Sequence, residues 1–193
     1  MIDYITGSVT ELNPAFVVVE CNGIGYNINI SLTTYAALEK SEKCTVYIHE
    51  AVREDAWVLY GFSARDERVL FRQLITVSGV GANTARMMLS SLSPSELSGA
   101  ITGADVNALK AIKGIGLKTA QRIIVDLKDK IGKPSASGEI ITFSDNTARE
   151  EALSALVMLG FARNSASKVV DSLLKENKSL AVEDIVRRAL KLL

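Results

Sequence analysis

Over the first sixty or so residues the apolar positions come in short runs with a two-residue rhythm. Phe16-Val17-Val18-Val19 is compact and β-branched, and Tyr26-Asn27-Ile28-Asn29-Ile30 alternates apolar with polar, as a half-buried strand does. Gly23 and Gly25 punctuate the interval and predict a hairpin or bulge. Two further strands are predicted at 45–48 and 57–60, separated by Glu50-Ala51-Val52-Arg53-Glu54-Asp55-Ala56, with one small helix near 33–38. Short strands with a single small helix predict a five-stranded barrel of the OB type over residues 1–62.

From Ser63 the period changes. Val69-Leu70 and Leu74-Ile75 recur at helical spacing, and helical character continues to about Ile131. Ser93-Pro94-Ser95-Glu96 is a helix start: a capping serine, proline at the first helical position and a glutamate to close the capping box. Residues 132–146 hold Gly132, Pro134, Ser135, Ser137 and Gly138 without apolar periodicity and read as a flexible linker. Thr147-Ala148-Arg149-Glu150 is a second capping box. Leu153, Leu156, Val157 and Leu159 follow as one amphipathic helix that stops at Gly160, and two more helices fit 165–174 and 182–192. The fold class is therefore α+β and multi-domain: a barrel at 1–62, a helical segment at 63–131, the linker, and a small three-helix tail at 147–193.

Composition narrows the chemistry. No apolar run approaches the roughly 18 residues of a membrane helix. Met1-Ile2-Asp3-Tyr4 does not open a signal peptide, so a cytoplasmic location with no membrane partner is expected. Cys21 and Cys44 show no metal spacing and read as buried free thiols, while His49, the sole histidine, reads as structural. There is no G-x-x-x-x-G-K-[ST] loop, so ATP hydrolysis by this chain alone is not expected; nor is a metal, a cofactor or a catalytic residue. The 22 basic and 22 acidic side chains cancel, which taken whole argues against a nucleic-acid binder. The distribution argues otherwise. Residues 1–62 carry three basic and eight acidic side chains, net −5, whereas residues 63–131 carry ten and six, net +4.

The basic segment contains a repeat. Ser78-Gly79-Val80-Gly81-Ala82-Asn83-Thr84-Ala85-Arg86 matches Lys113-Gly114-Ile115-Gly116-Leu117-Lys118-Thr119-Ala120-Gln121 at a period of 35 residues. Glycine-apolar-glycine makes a tight turn in which glycine takes positive φ and admits another backbone, with Val80 or Ile115 anchoring the turn in the core. A helix then begins, and its first amides point outward unpaired, a site for phosphate. Gly79, Gly81, Asn83, Thr84, Gly114, Gly116, Lys118, Thr119 and Arg122 are the predicted phosphate-binding residues. Such contacts hold the backbone and read no bases. Lys128 and Lys130, neutralised by Asp126 and Asp129, read as a solvated face. The motif resembles the helix-hairpin-helix family, with the second copy the better fit, since Asn83 stands where that copy has Lys118.

Nearly end to end, the chain resembles the RuvA family, the Holliday-junction-binding subunits of the bacterial branch-migration machinery. The likeness is carried by Gly23-Ile24-Gly25-Tyr26, by Val52-Arg53-Glu54-Asp55-Ala56 with Leu59-Tyr60-Gly61-Phe62, by both hairpins and the linker, and by Ala155-Leu156-Val157-Met158-Leu159-Gly160-Phe161. It implies a four-fold homotetramer that holds a four-way junction open and flat, with a second tetramer able to cover the other face. It also implies the hexameric ATPase RuvB and the nuclease RuvC as partners, and roles in recombination, DNA repair and the SOS response. Glu54 and Asp55, otherwise an ordinary solvated turn, correspond to that family's acidic pin. The tail resembles a UBA-like domain that contacts RuvB. Leu156, Leu159, Phe161 and Leu190 are candidates for the contact or for the tail's own core.

Two other classes compete. Helix-hairpin-helix DNA glycosylases share Gly114-Ile115-Gly116-Leu117-Lys118-Thr119-Ala120, but they carry a catalytic aspartate where this chain has Ala136. A single-strand or RNA-binding barrel would use Tyr26, Tyr35, Tyr47, Trp57 and Tyr60 as stacking platforms, against the barrel's net negative charge.

Overall fold

Alternation in the first segment closes a barrel. The computed structural model describes residues 1–131, 147–177 and 180–193. Its strands are β1 (Tyr4–Leu12), β2 (Phe16–Cys21), β3 (Ile24–Ile30), β4 (Lys43–Val52) and β5 (Trp57–Phe62), with α1 (Leu32–Leu38) between β3 and β4. They close in the order β1-β2-β3-β5-β4. The β3–β5 pair is parallel and the other four pairs are antiparallel. Alternate residues point inward: Ile5, Val17, Val19, Ile28, Ile30, Val46, Ile48 and Leu59 form the barrel core, capped by Leu38 of α1. At Gly61 the barrel is too tight for a side chain, since a Cβ there would lie 2.4 Å from Ile28 Cγ2 and 2.5 Å from Val46 Cγ1. The expected hairpin at Gly23 links β2 to β3 through Asn22 and Gly23, both at positive φ. β1 lacks the regular alternation because its register against β2 shifts between Val9 and Glu11.

The helical segment packs directly on this barrel, and the described residues 1–131 belong to one compact unit. It comprises α2 (Arg65–Leu74), α3 (Ala82–Ser91), α4 (Pro94–Thr102), α5 (Val106–Lys110) and α6 (Leu117–Leu127). The α4 start is as read from sequence: Ser93 accepts from the Glu96 amide, and the Glu96 carboxylate accepts from the Ser93 amide. Phe62 and Tyr60 of β5 stack against Phe71 of α2 at 4.8 and 5.4 Å, which carries the helical core onto the barrel wall.

A buried polar seam ties the two parts. Glu67 of α2 accepts from Ser31 Oγ at 2.5 Å and Thr34 Oγ1 at 2.8 Å, and Thr34 Oγ1 in turn accepts from the Ser63 amide. Burial pushes the Glu67 carboxyl up, against these hydrogen bonds, which pull it down. Arg68 donates to Asp3 through its carboxylate at 2.6 Å and its carbonyl at 2.7 Å. Arg86 of α3 donates to the Ala15 carbonyl at 2.8 Å. His49 packs its ring on Phe71 at 5.3 Å; burial, with Arg72 nearby, holds its pKa down, as suits a structural residue. Cys21 and Cys44 are free and half-buried rather than fully buried.

The second compact unit holds α7 (Thr147–Met158), α8 (Arg163–Glu176) and α9 (Val182–Ala189). Its core is Ala152, Leu153, Leu156, Ala166, Val170, Leu173, Leu180, Ile185 and Ala189. Gly160, at φ 98°, ends the first of these helices. Arg149 grips Asp171 with Nε at 2.6 Å and Nη2 at 3.0 Å and also reaches Ser167, tying α7 to α8. The linker expected at 132–146 and the side chain of Thr147 lie outside the described residues.

Candidate nucleic-acid interface

The sequence repeat is a structural repeat. Leu74, Val77, Val80, Ala85, Met88 and Leu89 are buried, and so are their equivalents 35 residues on: Leu109, Ile112, Ile115, Ala120, Ile123 and Ile124. The turns match bond for bond. The Val80 amide donates to the Val77 carbonyl at 3.0 Å and the Ile115 amide to the Ile112 carbonyl at 3.1 Å; Ala85 and Ala120 donate to Gly81 and Gly116, each at 2.9 Å. Gly79 and Gly114 take φ of 92° and 91°, where an L side chain is strained. The outer faces are exposed at Ser78, Gly79, Gly81 and Asn83, and at Lys113, Gly114, Gly116, Leu117 and Lys118, with Thr84 and Thr119 half-buried.

The helix that follows each turn is open at its N-terminus. α1, α4 and α5 are capped by Ser31, Ser93 and Asp105. α3 and α6 start from Gly81 and Gly116, which have no side chain to cap with, and neither carries an acid in its first turn. α2 is also uncapped, but Asp66 and Glu67 stand in its first turn. Two helix ends in this unit thus combine unpaired amides, positive dipole ends and no competing carboxylate, the requirements of an anion site. Lys118 adds an exposed cation to the second. Asn83 adds none to the first, and its Oδ1 lies 3.5 Å from the Tyr60 hydroxyl.

Arg122 has a role that was not evident from the sequence. Its Nη1 donates to the Ser78 carbonyl at 3.3 Å, so the helix of the second hairpin reaches the turn of the first. The bond helps set the spacing of the two sites and leaves further guanidinium donors for a phosphate. Lys110, Lys113, Lys128 and Lys130 are exposed around the second copy.

The barrel offers no broad stacking surface. Tyr60 is buried, Tyr26 and Tyr35 pack on the barrel core, and Tyr47 lies under the guanidinium groups of Arg65 and Arg68 at 5.3 and 5.5 Å. Of the five candidate rings only Trp57 is largely exposed. Glu54 and Asp55 are exposed at the turn between β4 and β5. In the tail, Leu156 is fully buried and belongs to the core, which removes it from the contact candidates. Phe161 is partly buried against the same core, while Leu159 and Leu190 are exposed at 59% and 45%. Among the described residues, no three His, Cys, Asp or Glu side chains converge as metal ligands, and no helix is long and apolar enough to cross a membrane.

Three family models match segments of the chain: RuvA N terminal domain over residues 1–61, SAM-like Helix-hairpin-helix tandem over 71–129, and RuvA, C-terminal domain over 147–193. The tandem match encloses both glycine turns. Relatives described as "Holliday junction branch migration complex subunit RuvA" align over essentially their whole length. The Bacteroides fragilis protein is 51% identical over 199 residues, 99% of each chain. That of Christiangramia forsetii is 53% identical over 191 residues, again 99% of each. The protein of Porphyromonas gingivalis is 50% identical over 202 residues and all of both chains. The chain belongs to the RuvA family. In this RuvA-family chain the two turns are unequal, one carrying Lys118 and the other Asn83. Arg86, Arg122 and Arg149 have partners that no local pattern indicates, because Ala15, Ser78 and Asp171 are distant in sequence.

Proposed function

We propose that this chain binds four-way DNA junctions by their backbone phosphates and serves as the DNA-binding subunit of a branch-migration complex. The observation that carries this is the pair of open helix ends behind Gly79-Val80-Gly81 and Gly114-Ile115-Gly116, linked by the Arg122–Ser78 bond. Two sites at fixed spacing suit the two strands that border one groove. Gly79, Gly81, Asn83, Thr84, Gly114, Gly116, Lys118, Thr119 and Arg122 are the proposed phosphate contacts. The names of the full-length relatives support the choice of a junction as substrate and of branch migration as the process.

The finer parts of the proposal rest on membership of the family. Four copies assemble around the junction, with room for a second tetramer on its other face. Glu54 and Asp55, brought together from each copy, repel phosphates at the centre and disfavour an uninterrupted duplex there. Catalysis lies with partners: RuvB hydrolyses ATP and moves the duplex arms, and RuvC cuts the junction. The tail carries the RuvB contact through its exposed Leu159 and Leu190, with Phe161 at the edge. Deleting residues 147–193 should leave junction binding intact and abolish stimulation of the RuvB ATPase. Retained stimulation would contradict the tail assignment, and loss of junction binding would contradict the placement of the DNA site.

A further inference from the structure

The ribbon made by the ends of β4 and β5 carries a feature that phosphate binding does not use. The Arg53 amide donates to the Ala56 carbonyl at 2.8 Å, which closes the turn and puts Glu54 and Asp55 at its tip. The next cross-strand pair is Val52 opposite Trp57. Both are exposed, at 71% and 66%. Leu59, two residues along the strand, points into the barrel core, whereas Val58 packs on the helical core. Strand alternation therefore puts Trp57 and Val52 on the ribbon face turned away from the helices. Folding of this unit leaves the only tryptophan of the chain in water, although indole is among the side chains with most apolar area to bury.

Its position says what can cover it. Tyr60 on the same strand comes within 3.5 Å of Asn83, at the head of the first hairpin's helix. Trp57 lies three residues earlier, on the order of 10 Å along the strand. Three residues apart on a strand, the two rings lie on opposite faces of the ribbon, so the indole stands across the ribbon from that helix end, on the order of a duplex width away. The carboxylates beside it repel phosphates, so a strand at the tip cannot turn its backbone there. A base edge with amino donors suits the carboxylates, and a base face suits the indole.

We propose that Trp57, backed by Val52, is a stacking platform for an unstacked base at the centre of a four-way junction. The proposal deepens the junction-binding reading and rests on it. The occupant is a nucleobase, not a second copy of the chain.

The single tryptophan is its own reporter. The full-length chain is titrated with a synthetic four-way junction and with linear duplex of the same arm sequence, following tryptophan emission and a gel shift in parallel. The junction should quench Trp57 well beyond what duplex does. Trp57→Leu should weaken junction binding about ten-fold, the scale of one base–aromatic stack, with the dependence on salt unchanged. Trp57→Phe should restore most of the affinity, and far-UV circular dichroism checks that both variants fold. A junction that shifts in the gel without changing the emission overturns the platform while sparing the junction reading. So does a Trp57→Leu chain that binds as tightly as the parent. Emission that moves to the blue as protein concentration rises, without DNA, assigns the face to a second copy and also overturns it. If no junction shifts at all, both readings fall.

Discussion

Gly114 and Gly116 flank the same isoleucine, yet they should respond in opposite ways to alanine. A Cβ at either position would meet no atom within 4 Å, so packing does not distinguish them. Backbone does: φ is 91° at Gly114 and −85° at Gly116. Gly114→Ala forces an L residue into the left-handed region at a cost of about 1–2 kcal/mol. Gly116→Ala keeps an allowed conformation and only exchanges a fair N-cap for a poor one, a few tenths of a kcal/mol up to about 1. With a urea slope of about 2 kcal/mol per molar, Gly114→Ala lowers the unfolding midpoint by roughly 0.5–1 M and Gly116→Ala by roughly 0.1–0.5 M. Binding should show the reverse order. The new methyl at Gly116, the N-cap of α6, stands in open space beside the free amides proposed to bind a phosphate and would crowd it, and a hydrogen bond to a charged group is worth about 1.5–3 kcal/mol. Junction affinity of Gly116→Ala should then fall roughly ten-fold or more. Urea unfolding followed by far-UV circular dichroism gives the first quantity, and a junction titration well below both midpoints gives the second. Equal midpoints for the two variants, or full affinity in Gly116→Ala, would refute the account of the turn.

Three further outcomes are expected. Lys118→Ala should weaken junction binding and flatten the slope of log affinity against log salt by about 0.9 for the phosphate released, as read from a salt series on the two proteins. Glu54→Gln with Asp55→Asn should raise duplex binding relative to junction binding in a gel; an unchanged preference would remove the two acids from the discrimination. Glu67 should leave a signature in the pH dependence of stability. Burial raises its folded pKa, so the native state holds the proton more tightly than the unfolded chain does. The stabilisation that follows is complete below the unfolded glutamate value, about 4.3, and is lost as pH rises through the folded value. The stability of the parent relative to Glu67→Gln should therefore decline across that window in unfolding curves taken at several pH values.

Much of the fold is legible because it is written in local periodicity. The alternation at Tyr26–Ile30 gave a strand, and Ser93-Pro94-Ser95-Glu96 gave a capped helix, since both depend on neighbours a few residues apart. The hairpins were legible for a stronger reason: the 35-residue repeat carries the turn glycines, the buried anchors and the exposed faces together. What local pattern does not carry is the docking of helices on the barrel. Nothing local singles out Glu67 and Arg68 in the first turn of α2, yet both are buried because Ser31, Thr34 and Asp3, distant in sequence, supply their partners. Arg122 read as a phosphate contact, and its bond to Ser78 depends on how the two copies pack. Leu156 and Leu159 share one apolar stripe, yet only the folded tail separates the core residue from the exposed one.

The net charge of zero misleads in the same way. The net −5 of the barrel is offset in the sum by the net +4 of the helical segment and the net +1 of residues 132–193, while a phosphate responds to the charge close to it.

Structure-specific binding is tested by one competition experiment. Labelled four-way junction is bound by the full-length chain and challenged with unlabelled junction, linear duplex, single-stranded DNA and RNA of matched length at a fixed salt concentration. Unlabelled junction should displace the label at far lower concentration than any of the other three. Equal displacement by duplex, or preferential displacement by single strands or RNA, would contradict structure-specific binding.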